Sequence, residues 1–105
     1  MIKKKVTILL LIFSILTVFP LQAFAVTIVK PTNVYTFDYP GYVKVTSGNL
    51  NVRSGPGTSY EIIDKLANNT YIVMHGDDGG TSWTYITYPV TGWVSKDYVV
   101  IDYGG

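Results

Sequence analysis

The chain has 105 residues, with eight Lys or Arg against seven Asp or Glu and no cysteine. It therefore has no disulfide framework, no thiol nucleophile and no cysteine for lipid attachment. Its near-neutral balance also gives no broad basic surface for nucleic acid, whose binding depends on Lys and Arg neutralising phosphates.

The first 25 residues read as a leader. Lys3, Lys4 and Lys5 form a cationic start, Val6 to Phe19 is an apolar run, and Ala23-Phe24-Ala25 supplies small residues at an A-x-A site. These are the three parts of a secretory signal peptide. The apolar run is shorter than the roughly 20 residues a bilayer-spanning helix needs, and Pro20 ends any helix there. Cleavage after Ala25 would leave an exported chain of 80 residues with no stable membrane anchor. That chain keeps Lys30, Lys44, Arg53, Lys65 and Lys96 against all seven acidic residues, a net charge of −2. A domain of this size buries only about 60 % of its unfolded surface. The nine Tyr and two Trp, all of which follow residue 25, then matter for its core.

Residues 26–40 are rich in Thr, Val and Tyr and contain Pro31, which suits a lead-in or an edge strand. From residue 41 to residue 101 the pattern is all-β. Short Val-, Ile-, Tyr- and Thr-rich runs alternate with turn residues every 8–12 positions. Val43 and Val45 alternate with Lys44 and Thr46. Ser47-Gly48 turns the chain, after which Leu50 and Val52 share one face while Asn51 and Arg53 share the other. Ser54-Gly55-Pro56-Gly57-Thr58-Ser59 is a loop, because two glycines and a proline do not hold a ladder. Strands are expected at Ile62–Leu66, Tyr71–His75, Trp83–Tyr88, Trp93–Val94 and Val99–Ile101, with a turn at Asn68-Asn69 and a flexible tail at 102–105. Five or six short strands, each with one apolar face, bury that face by curling into a barrel, which also removes most free edges.

Leu50-Asn51-Val52-Arg53-Ser54-Gly55-Pro56-Gly57-Thr58-Ser59-Tyr60, with Gly92-Trp93-Val94-Ser95-Lys96-Asp97-Tyr98-Val99 downstream, closely resembles the bacterial SH3 domain family. The resemblance runs from Tyr42 to Val99. It implies a small SH3-like barrel with a one-turn 3₁₀ helix before the last strand, as at the end of eukaryotic SH3 domains. The physical demands of the motif can be stated separately. Leu50 and Val52 fill the barrel, Gly55 and Gly57 supply positive φ or close approach, and Gly92 lets two strands cross closely. Two loops depart from the family pattern, Asp77–Ser82 and Tyr88–Thr91, and Ser95 stands where the eukaryotic domain has its groove proline. That departure weighs against recognition of proline-rich peptides.

No catalytic constellation is legible, and no cofactor or metal is implied. His75 is the only histidine and no serine sits in a nucleophile-elbow context. His75-Gly76-Asp77-Asp78 has too few placed ligands for a metal site and suits an ordinary turn. Glu61 and Asp64, as a carboxylate pair, would need a cleft deeper than so small a barrel offers. The resemblance instead implies an aromatic groove. Trp83 and Tyr98 match its wall positions, and each could otherwise cap or pack the barrel. Tyr60 and Tyr85 could widen the same surface. Arg53 emerges beside the Gly-Pro-Gly loop, where its guanidinium can bind loop carbonyls or a ligand carboxylate. The implied function is that of a secreted, non-catalytic module recognising cell-wall peptidoglycan peptides or a wall-associated protein. A protein–protein interaction, inhibitor or immunity role, through the groove or through residues 26–40 added as a strand in trans, is the alternative.

Overall fold

The structure, a computed structural model, describes residues 25–104. The leader expected at residues 1–25 therefore lies outside the described residues, Ala25 excepted. The described residues form seven strands: β1 (Asn33–Val43), β2 (Leu50–Arg53), β3 (Ile62–Leu66), β4 (Tyr71–Asp77), β5 (Trp83–Tyr88), β6 (Gly92–Ser95) and β7 (Val99–Ile101). They pair antiparallel in one sheet of order β3-β2-β6-β5-β4-β1-β7, and a single 3₁₀ turn, Lys96–Tyr98, joins β6 to β7. The all-β barrel and its 3₁₀ turn are those expected. The strands number seven, and the first begins well before residue 41, at Asn33. β1 pairs with β4 through Gly41 and Ile72, and with β7 through Gly41 and Ile101. Midway along β1, residues 35–38 stand opposite the single residue His75 of β4, so β1 bows outward there.

Period-two patterning explains which residues face inward. In β2, Leu50 and Val52 are buried while Asn51 and Arg53 are half-exposed; in β4, Ile72, Met74 and Gly76 are buried in alternation with half-exposed Val73 and His75. The sheet coils so that these faces meet Val43, Leu66, Ile86 and Val94 in one core, flanked by Tyr39, Val45, Ile63, Val90 and Val99. Close strand approach has a covalent requirement at Gly92. A Cβ there would lie 2.5 Å from Val52 Cγ1 and 3.0 Å from the Arg53 carbonyl oxygen, so only glycine fits where β6 meets β2. The turn between β3 and β4 is held from both sides. Asn69 takes the left-handed backbone at φ 66°, its N–H donates to the Val43 carbonyl at 2.8 Å, and the Asn68 side chain accepts from Val45 N–H at 3.0 Å.

Ile86 is wholly buried and Tyr88, two residues further along β5, is 54 % exposed. Urea denaturation should show Ile86→Ala losing about 3 kcal/mol of stability, whereas Tyr88→Ala should lose less than about 1 kcal/mol.

Candidate ligand-binding groove

A groove of about 610 Å³ opens between the loop after β1, the outer side of β2, the start of β5 and the 3₁₀ turn. That volume is within the range of small-ligand sites. Trp83, Tyr98 and Arg53 all line it, together with Asn49, Asn51, Thr58, Ser95 and Asp97.

Each wall is positioned by a local interaction. Trp83 is half-buried at the first residue of β5, paired with Ser95 of β6. Its neighbour Thr84 turns inward, where Oγ1 donates to the Gly76 carbonyl at 2.9 Å. That inward turn leaves the Trp83 ring on the outer face. Tyr98 ends the 3₁₀ turn and is 49 % exposed. Ser95 caps this turn by accepting from Asp97 N–H, and the Tyr98 carbonyl accepts from Lys44 N–H at 2.7 Å. Lys96 ties the turn to the β4–β5 loop. Its N–H donates to the Ser82 carbonyl at 2.7 Å, and its ammonium donates to the Thr81 carbonyl at 2.9 Å and lies 3.4 Å from the Asp77 carboxylate. The two aromatic walls are thus fixed relative to one another by backbone-level contacts.

Arg53 both holds a loop and lines the groove. Nη1 donates to the carbonyls of Thr58 and Tyr60, at 3.1 and 2.9 Å, which clamps the Gly-Pro-Gly loop. The same guanidinium carries five N–H donors in a planar fork, and Arg53 is among the residues that line the groove.

Tyr60 and Tyr85 are placed elsewhere. The Tyr60 ring lies directly over Gly55, where a Cβ would collide with it, so this glycine serves close approach and not a positive φ. Gly57 also lacks a positive φ, and a Cβ there would meet only ordinary contacts. Tyr85 is 7 % exposed and packs on Trp93 with ring centroids 5.4 Å apart, so it does not widen the groove. Asn49, Asn51, Ser95 and Asp97 also line the groove, and residue type alone does not mark them as groove residues. Their signal in the sequence is position, since they lie within or beside the two motifs that carry Arg53 and Tyr98. His75 pairs with Asp38, Nδ1 to Oδ1 at 2.6 Å, across the bowed part of β1. Among the described residues no three His, Asp or Glu side chains gather as metal ligands, and no helix is long and apolar enough to cross a membrane.

A coiled antiparallel sheet, a 3₁₀ turn before the last strand and an open groove between loops together define an SH3-like binding module. Residues 48–100 match the model of the bacterial SH3 domain, and the chain belongs to that family. The chain is also similar to a putative N-acetylmuramoyl-L-alanine amidase of Bacillus subtilis (strain 168), with 45 % identity over 58 residues. The shared segment is 54 % of this chain and 11 % of the amidase, so the chain spans a small part of that relative's length.

Gly55→Val should destabilise the barrel by about 2 kcal/mol in a thermal or urea transition, because the added side chain drives the Tyr60 ring from its seat. Gly57→Ala should change the same transition by less than about 0.5 kcal/mol.

Proposed function

We propose that the protein is an exported, non-catalytic module that binds the peptide part of cell-wall peptidoglycan, or a wall-associated protein, through the groove between Trp83 and Tyr98. The observation that carries this reading is that Trp83, Tyr98 and Arg53 line one open groove. Flat, rigid aromatic side chains give an extended ligand large contact area at low entropic cost. The free donors of Arg53 suit peptide carbonyls or a terminal carboxylate. The name of the matched amidase concerns the linkage between muramic acid and L-alanine, and a wall ligand fits a leader of the secretory kind. The groove lining contains no histidine, which leaves its serines without a nearby imidazole base.

The alternative in which residues 26–40 add to a partner's sheet has less chain to use. Within that segment Asn33, Val34, Tyr39 and Pro40 are already paired with β4.

Purified sacculi should retain the protein. Trp83→Ala and Tyr98→Ala should each weaken retention by about tenfold with the circular dichroism spectrum unchanged. Complete absence of retention by the unsubstituted protein would refute the reading. Because the chain after residue 25 carries a net charge of −2, retention should change little between low and moderate salt, where screening would weaken a mainly electrostatic complex.

A further inference from the structure

Trp93 is wholly buried, yet it stands outside the cluster formed by Val43, Val52, Ile72, Ile86 and Val94. Its neighbour Val94 enters the core cluster, and successive side chains on a strand point to opposite faces. The Trp93 ring therefore lies on the outer face of β6, away from the core cluster. The Tyr85 ring packs against it. The Trp93 indole N–H also reaches the segment preceding β1, residues 25–32, which forms no strand or helix and is here termed the strap.

Val29 of the strap turns both of its backbone groups to the barrel. Its N–H donates to the Ser54 carbonyl at 2.7 Å, and its carbonyl accepts from Trp93 Nε1 at 2.7 Å. On either side, Ile28 and Pro31 are half-buried while Val26, Thr27, Lys30 and Thr32 are exposed. The seat thus reads an extended backbone and two apolar side chains three positions apart. Every peptide chain has the backbone groups it uses. A buried indole donor is costly to leave unpaired, but the segment pairing it here is short, largely exposed and bonded at one residue. Such a segment opens at low free-energy cost compared with the barrel beneath it.

We propose that the Ser54–Trp93 seat is a peptide-binding site held closed in cis by the strap, and that its trans occupant is an extended segment of another protein with apolar side chains at the Ile28 and Pro31 positions. The tethered strap competes at an effective concentration on the order of millimolar. The seat therefore admits only a partner that binds more tightly or is itself held nearby. Neither Ser54 nor Trp93 lines the Trp83–Tyr98 groove, so the two sites stand or fall separately.

The test uses the full chain and a synthetic peptide of residues 26–32. Val29→Pro removes the N–H that bonds Ser54 and so weakens the strap. The peptide should bind this variant about tenfold more tightly than the unsubstituted chain, read by titration calorimetry. Adding Trp93→Phe, which keeps a ring and removes the donor, should abolish the difference. Equal binding to both chains, or no binding to a Val29→Pro variant that retains its unfolding midpoint, would overturn the proposal. Concentration-dependent dimers of the unsubstituted chain that the peptide dissolves would overturn it in favour of a second copy as occupant.

Discussion

The contact between β6 and β2 at Gly92 organises this molecule. With no Cβ at that position, Val52 of β2 and the backbone of β6 come within van der Waals reach, and Arg53 pairs with Trp93. That single pairing joins the β2–β3 hairpin to the β5–β6 hairpin and so converts two ribbons into one coiled sheet. Three consequences meet on the outer surface. Arg53 reaches the groove, Trp93 is presented on the far face of β6, and the Gly-Pro-Gly loop is brought close enough for Arg53 to hold its carbonyls.

The groove depends on backbone bonds more than on side-chain packing. Lys44 N–H to the Tyr98 carbonyl fixes one wall, and Lys96 N–H to the Ser82 carbonyl fixes the segment that carries the other. Neither bond requires the identity of the aromatic residue it positions. The walls can therefore be substituted to probe binding with little disturbance of the scaffold, unlike Val52, Ile72 or Val94, which are wholly buried.

Much of the architecture is legible in the order of the residues. The bounds of β3, β5 and β7 coincide with the runs Ile62–Leu66, Trp83–Tyr88 and Val99–Ile101, because turn residues flank each of them. Trp83, Tyr98 and Arg53 can be assigned to one surface because the family motif fixes their spacing around the barrel. Tyr85 and Tyr60 are harder. Strand alternation turns Tyr85 outward, but it carries no information about the Trp93 ring packed against it on that face. Tyr60 shows the converse case: its seat over Gly55 is a short-range contact, yet nothing in local pattern distinguishes a ring folded onto its own loop from one facing solvent. The Val29 contacts are illegible for the reason that governs Tyr85. They join Val29 to residues 25 and 64 positions away through its own backbone groups, which leave no trace in residue type.

The two margins of the sheet are unlike its interior. β7, at one end, has only three residues, and β3, at the other, carries exposed Asp64 and Lys65 in its middle. A short margin offers little ladder to a second molecule, and a margin bearing charge resists stacking against its own kind. A β-rich chain without disulfides, crowded among identical newly made copies, is thereby kept from extending its hydrogen-bond ladder into a fibre.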